Sequence, residues 1–189
     1  MGEVNILIGL SGVGKGTVLE EAMMISDQNY KIINYGDKML ETAKDQDLVD
    51  DRDEMKDLEV DTYREIQMDA AERIVEESEN EDVIVETHAA IKSPYGYITG
   101  LPKWTIENLN PKKVIMLTAE PEEIYDRTMD DESRDREHEE VKGIREYQNV
   151  AREMAAAGCV LTGARLKTIE NPDGQAEKTA EKLVKTLRG

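Results

Sequence analysis

The feature that most constrains this chain is a glycine-rich loop between a short apolar run and an amphipathic segment. The loop reads GLSGVGKGT at residues 9–17, it follows the apolar run VNILI at 4–8, and apolar side chains at helical spacing come after it. Glycines permit a tight turn in which successive backbone N–H groups converge at the positive end of a helix. The order strand, loop and helix therefore predicts a phosphate-binding loop in an α/β protein.

One position departs from the usual form of this loop. The motif G-x-x-x-x-G-K-[ST] has a hydroxyl residue directly after the lysine, whereas Gly16 follows Lys15 here and the hydroxyl comes one residue later, at Thr17. Lys15 still supplies the point charge that accompanies phosphates during transfer. Taken alone, the departure leaves two readings open: an incidental glycine-rich turn, or a variant of the loop that marks one class of kinases.

The rest of the chain continues the alternation of strands and helices. Four more segments have the apolar pattern of strands, at 30–36, 81–88, 112–119 and 165–171, and helical patterns separate them. This alternation predicts a three-layer α/β fold with a five-stranded parallel sheet. The length predicts a single domain over 1–189.

Two polar segments interrupt the alternation. Residues 47–60 follow the second predicted strand and its helix, and residues 130–138 lie between two helices after the fourth. Ligands of α/β sheets bind beyond the carboxyl ends of the strands, where both segments arise. We therefore expect each segment to close over a ligand.

Composition excludes several classes of function. A net charge of −18 disfavours a nucleic-acid partner, and it makes the basic residues near the glycine loop the natural site for an anionic substrate. One cysteine and two histidines allow neither a disulfide framework nor a four-ligand zinc site within one chain. The apolar runs are too short to cross a bilayer, so we expect a cytoplasmic protein with no membrane partner.

The acidic surface also bears on the cellular environment. Dense carboxylates, together with the absence of phenylalanine, would suit a cytoplasm rich in salt, where repulsion between the carboxylates is screened. Lysine is not scarce, however, and an ordinary acidic protein is the alternative. A halophilic origin is therefore a hypothesis.

Several segments beyond the loop resemble one family. GLSGVGKGT is similar to the loop of adenylate kinases, in which glycine followed by threonine is the usual form, and the rest of the chain resembles archaeal-type adenylate kinases. The resemblance covers nearly the whole chain and rests on these further segments: NYGDKMLETA (34–43), LVDDRDEM (48–55), VETHAAIKSPYGYITGLPKW (85–104), DDESRDRE (130–137) and VLTGARLKTIENPDG (160–174). The late hydroxyl would then be a mark of the family.

This resemblance implies reversible transfer of a phosphoryl group, ATP + AMP = 2 ADP, with Mg²⁺. It also implies a nucleoside monophosphate (NMP)-binding insertion at about 37–80, a short lid at about 130–138, and a homotrimer. Phosphoryl transfer depends mainly on positioning and on neutralisation of charge.

For the ATP side, the resemblance implies that the loop binds the phosphates. The residues concerned are Gly9, Gly12, Val13, Gly14, Lys15, Gly16 and Thr17. Arg127 matches an arginine at the ATP site, although it could instead be a helical arginine paired with Glu123. Arg134 and Arg136 match the catalytic arginines of the lid, which could otherwise be part of a solvated charge run.

For the AMP side, the resemblance points to Asp37 and Arg52. Bacterial adenylate kinases carry an arginine where this chain has Leu40, so the AMP phosphate must be held differently, with Lys56 and Lys92 as further candidates. Both lysines could equally be solvated surface residues.

The third predicted strand ends in polar residues that would lie near the phosphates. Glu86 is a candidate to hold Mg²⁺ through water, since this ion favours water and few carboxylates, and a structural carboxylate is the alternative. We expect His88 to be a hydrogen-bonded structural residue. Residues 96–104 are predicted to be a rigid loop, with Trp104 in the core or an interface.

Three other functions remain open on sequence alone. The first is a kinase for another acceptor, such as CMP, UMP or shikimate, because the loop is common to many kinases. The second is a regulatory nucleotide-binding switch, although the chain lacks N-K-x-D and D-x-x-G elements. The third, a nucleotide-free interaction domain, does not explain why the glycines, Lys15 and the lid arginines occur together.

Overall fold

A computed structural model describes residues 2–129 and 141–189. These residues contain seven strands: β1 (Val4–Ile8), β2 (Tyr30–Asn34), β3 (Asp82–Thr87), β4 (Ala90–Ser93), β5 (Gly96–Thr99), β6 (Lys113–Thr118) and β7 (Arg165–Glu170). Five of them form a parallel sheet in the order β2-β3-β1-β6-β7. The predicted α/β fold with a five-stranded parallel sheet is therefore confirmed.

Seven α-helices accompany the strands in the described part of the chain, with one turn of 3-10 helix at Glu54–Lys56. They are α1 (Lys15–Ile25), α2 (Tyr35–Asp45), α3 (Val60–Glu77), α4 (Lys103–Leu109), α5 (Pro121–Met129), α6 (Val141–Thr162) and α7 (Ala176–Arg188). Helices α1 and α7 pack against each other, whereas α3 packs against α2 and α4, and α6 packs against α4 and α5. Among the described residues, no helix is long and apolar enough to span a membrane.

The centre of the sheet is the centre of the core. Every residue of β1 and of β6 is buried, and Ile6 lies between Val85 of β3 and Val114 of β6 in the sheet register. Continuous apolar runs are expected where helices cover both faces of a strand. Full burial of each valine, leucine, isoleucine or methionine side chain in these strands contributes about 1.5–3 kcal/mol, so the strand that leads into the glycine loop is firmly held.

The predicted end of the second strand was wrong by two residues. Tyr35 and Gly36 belong to α2, because the Asn34 side chain accepts a hydrogen bond of 3.1 Å from the backbone N–H of Asp37 and so caps that helix. Asn34 thus ends β2 and begins α2 without a connecting loop, which places Gly36 and Asp37 directly beyond the sheet.

The prediction of a loop at 96–104 was also wrong. Residues 90–99 form an antiparallel hairpin of β4 and β5, and α4 begins directly after Pro102. Most side chains of the hairpin are exposed, so its sequence lacks the alternation that indicates a half-buried strand. Helix α4 has only seven residues, which is too short for a clear helical period.

Candidate active site

The phosphate-binding loop connects β1 to α1 and depends on two glycines with left-handed backbone. Gly12 and Gly14 have φ of 84° and 87°, a region that glycine enters without strain. A Cβ on Gly12 would lie 2.8 Å from Cγ2 of Thr128, and a Cβ on Gly14 would lie 2.7 Å from Nδ2 of Asn171. A Cβ on Gly16 would have no described heavy atom within 4 Å. Packing therefore requires glycine at Gly12 and Gly14, and the described neighbours leave room for a side chain at Gly16.

The other predicted loop residues have distinct places. A Cβ on Gly9 would lie 2.8 Å from Cγ1 of Val13, and Val13 itself is fully buried. Thr17 is exposed in the first turn of α1. The loop thus has a buried apolar anchor on one side and a polar, accessible helix start on the other.

Lys15 lies along the inside of the loop. Its Nζ donates to the carbonyl of Gly9 at 3.1 Å and approaches the carbonyl of Leu10 at 3.5 Å, and it is 3.8 Å from Oε1 of Glu86. Only 8% of the Lys15 side chain is exposed. A buried ammonium needs such oxygen partners, and all three could be exchanged for phosphate oxygens.

Arg127 connects three parts of the chain. Its Nε donates to Oδ1 of Asp173 at 2.7 Å, its Nη2 donates to the carbonyl of Asn171 at 3.0 Å, and its Nη1 is 3.4 Å from the carbonyl of Val13. Glu123, the partner considered from sequence, is 3.9 Å away. Arg127 therefore braces the phosphate-binding loop against the segment that follows β7.

Asn171 is a site residue that the sequence analysis did not single out. It follows β7 directly, donates from Nδ2 to the carbonyl of Val13 at 2.8 Å, and donates from its backbone N–H to Thr118 at 2.7 Å. Only 5% of it is exposed. A polar residue just after a strand was the available signal, because that is where α/β proteins bind ligands.

A cleft runs from the loop towards the predicted AMP side, with a volume of about 190 Å³. Lys15 and Glu86 line one part of it, and Gly36 and Arg52 line another. Arg52 forms an ion pair with Asp37, and both side chains are more than half exposed. The fold thus brings two of the predicted AMP residues together beside the lysine of the loop.

The two candidate lysines lie differently. Lys56 is exposed, and its Nζ is 2.8 Å from Oδ1 of Asp53, which raises the pKa of Lys56 through a hydrogen bond and charge. Lys92 is an exposed residue of β4, opposite Tyr97. Neither lysine is among the described residues that line the cleft.

His88 also touches the loop. Its Nδ1 is 2.9 Å from the carbonyl of Gly9, so Nδ1 must carry the proton, because a carbonyl can only accept. Burial, followed by the charge of Lys15, lowers the pKa of His88 to about 4. The ring is therefore neutral at neutral pH, and the prediction of a hydrogen-bonded histidine agrees with this contact.

Tyr35 and Gln67 also line the cleft, and a cluster of larger polar side chains continues from them. Trp104 donates from Nε1 to Oε1 of Gln67 at 3.0 Å, and the guanidinium of Arg64 lies 4.5 Å from the centre of the indole ring. The hydroxyl of Tyr35 donates to the carbonyl of Gln67 at 2.8 Å, and burial raises the pKa of Tyr35. Trp104 is thus half-buried at this cluster and is not part of the hydrophobic core, so its predicted place in the core or an interface stays a prediction.

The remaining predicted residues concern the metal and the lid. The described residues contain no group of three or more side chains suited to hold a metal ion, and Glu86 is 23% exposed beside Lys15. A single partly exposed carboxylate fits Mg²⁺ that keeps most of its water. Arg134, Arg136 and the whole predicted lid at 130–138 lie outside the described residues.

Comparisons with solved structures agree with this fold. The chain is similar to the shikimate kinase of Acinetobacter baumannii solved with shikimate, with a TM-score of 0.62 and 17% identity, covering 100% of this chain and 94% of that one. The shikimate kinase of Bacteroides thetaiotaomicron gives a TM-score of 0.61 at 17% identity, with 99% of each chain covered. At this identity the similarity concerns the fold alone.

Comparisons of sequence go further. A family model described as an AAA domain matches residues 8–145. The chain is 43% identical to the adenylate kinase of Methanopyrus kandleri, covering 100% of this chain and 99% of that relative. It is 40% identical to the adenylate kinase of Methanococcus vannielii, with 98% of each covered, and 39% identical to that of Thermoplasma acidophilum, with 97% of each covered. By its loop, its fold and these relatives, the chain belongs to the adenylate kinase family.

Proposed function

We propose that this protein catalyses ATP + AMP = 2 ADP, with Mg²⁺. The observation that carries the proposal is the single cleft that Lys15 and Glu86 share with Gly36 and Arg52. A phosphate donor on the loop and a phosphate acceptor beside α2 would meet at Lys15. A switch that binds one nucleotide would have no use for the second half of this cleft.

On the donor side, the loop from Gly9 to Thr17 would hold the phosphates of ATP. The left-handed backbone at Gly12 and Gly14 directs successive N–H groups into one concavity at the start of α1. Arg127 would support the same site, since it contacts the carbonyl side of the loop. Arg127 would thus hold the phosphate-binding loop in place and add positive charge to the ATP site.

Lys15 would act at the transferred group. An oxygen of the AMP phosphate attacks the γ phosphorus of ATP, and the bond from that phosphorus to the bridging oxygen of the β phosphate breaks. The donor is thereby converted to one ADP and the acceptor to a second ADP. The ammonium exchanges the carbonyls of Gly9 and Leu10 for phosphate oxygens and moves with the phosphoryl group. No covalent intermediate with the protein is needed.

On the acceptor side, Arg52 would bind the AMP phosphate. Its guanidinium already faces an anion, the carboxylate of Asp37, at the edge of the cleft. A phosphate with two negative charges would compete for the same donors, and Asp37 would hold Arg52 in place until then. Lys56 and Lys92 are retained as secondary candidates: Lys56 would approach the phosphate as the 37–80 insertion closes, and Lys92 would have to turn inward from β4.

The lid belongs to the same proposal. Arg134 and Arg136 would clamp the phosphates when both nucleotides are bound. Closure of the lid at 130–138 over the nucleotides would exclude water and prevent hydrolysis of ATP. Glu86 would hold Mg²⁺ through water. When bound, this ion neutralises charge on the phosphates.

Two alternatives depend on the acceptor. Another nucleoside monophosphate such as CMP or UMP would use the same loop, and the shikimate kinases share the fold. The full-length relatives favour AMP, since all three relatives described above are adenylate kinases.

We further propose that the protein is a cytoplasmic homotrimer adapted to salt. Light scattering at low and at molar KCl would test the trimer and its dependence on salt.

The deciding experiment is formation of ADP from ATP and Mg²⁺ with AMP, CMP, UMP, GMP, shikimate or no acceptor, at low and at molar KCl. Strong turnover that depends on AMP is the expected result. Lys15→Met should reduce kcat by a factor on the order of 10³, whereas Lys178→Met, at an exposed lysine of α7, is the matched control. Turnover only with another acceptor would change the substrate, and hydrolysis without any acceptor would contradict the proposal.

A further inference from the structure

The carbonyl of Gly9 accepts hydrogen bonds from two side chains. Nζ of Lys15 is 3.1 Å away and Nδ1 of His88 is 2.9 Å away. A carbonyl oxygen has two lone pairs, so the two donors can be accommodated together. The strand register brings His88 beside Gly9, because β3, which leads to His88, pairs with β1, which leads to Gly9.

Only one of these donors can remain during phosphoryl transfer. Lys15 has to leave the carbonyl when it follows the phosphates. A buried carbonyl that loses its last hydrogen bond carries a desolvation penalty, which would oppose the movement of the lysine. His88 has no charge to deliver and can stay in place.

We infer that His88 is a positioning residue, whose Nδ1–H keeps the Gly9 carbonyl bonded when Lys15 moves to the nucleotide phosphates. The inference rests on the proposed function in one respect, namely that the loop binds ATP. It assigns His88 a role in the affinity for ATP, with no contact to the reacting atoms.

The backbone of His88 is held for this role by the hairpin of β4 and β5. The chain returns at Gly100, whose N–H donates to Ala89 at 3.0 Å. A Cβ on Gly100 would lie 2.0 Å from the carbonyl oxygen of His88. The hairpin therefore closes directly against the histidine, and only glycine permits this approach.

The tautomer that the geometry requires fits this role. Because the Gly9 carbonyl 2.9 Å away can only accept, the proton of the neutral ring lies on Nδ1, which leaves Nε2 as an acceptor.

Two substitutions separate the hydrogen bond from the packing. In His88→Asn, the amide Nδ2 can donate from close to the position of the histidine Nδ1, whereas His88→Leu has similar bulk and no donor. We expect the Kd for a non-hydrolysable ATP analogue, measured by calorimetry, to change by less than about threefold in His88→Asn. We expect it to rise by about tenfold in His88→Leu, the size of one hydrogen bond.

A double substitution tests whether His88 acts through Lys15. In Lys15→Met no ammonium leaves the carbonyl, so adding His88→Leu should not weaken binding of the analogue further. Equal losses in Asn and Leu variants, or the same tenfold loss in the Lys15→Met background, would overturn the inference and leave a purely structural histidine.

Nuclear magnetic resonance of the wild-type protein gives a test that needs no variant. Nitrogen-15 shifts of His88 at pH 7 should report a neutral ring with the proton on Nδ1, with and without the analogue. A proton on Nε2 alone, with Nδ1 unprotonated, in either state would overturn the inference even if His88→Leu failed to fold. If the analogue binds but AMP does not stimulate turnover, the proposed function fails while these measurements still decide the role of His88.

Discussion

Replacement of Arg127 by methionine removes the guanidinium and keeps an unbranched apolar stem. The main losses are the hydrogen bond of 2.7 Å to the carboxylate of Asp173 and that of 3.0 Å to the carbonyl of Asn171. Both bonds have a charged donor, and such bonds contribute about 1.5–3 kcal/mol. Asp173 is 62% exposed, so solvent screening reduces the bond to its carboxylate towards about 1 kcal/mol, and the bond to the carbonyl of Asn171 is taken at the lower limit of the range.

The free energy of unfolding should therefore fall by about 2 kcal/mol in Arg127→Met. Urea unfolding measures it, and a double-mutant cycle with Asp173→Asn should give a coupling energy of about 1 kcal/mol. Arg188→Met is the control, because Arg188 pairs with Asp27 on the surface, where the expected loss is below about 1 kcal/mol.

The affinity for ATP should fall together with the stability. Arg127 and Asn171 both contact the carbonyl of Val13, so release of the brace would let the loop relax before ATP binds. The reasoning would be refuted if the free energy of unfolding fell by less than about 0.5 kcal/mol and by no more than in Arg188→Met. It would also be refuted if the stability fell by the full amount while the affinity for ATP stayed unchanged.

Three shorter predictions follow from the site. Gly12→Ala should lower the midpoint of thermal unfolding and abolish ATP binding, because Gly12 has a φ of 84° and the added Cβ would lie 2.8 Å from Cγ2 of Thr128. Gly16→Ser is the control and should fold normally. A Gly12→Ala variant as stable as the wild type would contradict this prediction. Lys15→Met should reduce kcat by a factor on the order of 10³ with little change in unfolding, and near-normal kcat would remove Lys15 from the mechanism. Because His88 has its pKa lowered to about 4, the unfolded state binds more protons below pH 6.5. The unfolding free energy should therefore fall by up to about 3 kcal/mol from pH 6.5 to pH 4; His88→Asn should lose this part of the slope, and an unchanged slope would exclude His88 as its source.

Local patterns predicted most of the architecture. The glycine loop, the apolar runs of β1 and β6 and the helical stripe of α1 each lie within one stretch of chain, and the structure has these elements where the patterns predicted them. The hairpin of β4 and β5 escaped prediction because its side chains are mostly exposed. A strand that buries little side chain leaves no alternation in the sequence.

The site residues also divide into those that the sequence predicted and those whose position it did not predict. Lys15, Glu86 and Arg52 were predicted from motif and resemblance, and the structure brings them to one cleft. The ion-pair partner of Lys56 could not be predicted from the sequence, because several acidic residues lie near it in the chain. In the structure the partner is Asp53. Whether Lys56 approaches a phosphate depends on long-range packing, which no local pattern describes.

The sequence by itself determined that a phosphate-binding loop follows a buried strand, because glycine conformation and helical period are properties of neighbouring residues. Only the tertiary structure decided what supports that loop. Asn171 contacts Val13 across 158 positions of chain, and His88 contacts Gly9 across 79. Both contacts arise because the order β2-β3-β1-β6-β7 brings the ends of β3 and β7 towards the end of β1, and strand order is a property of the whole packed chain.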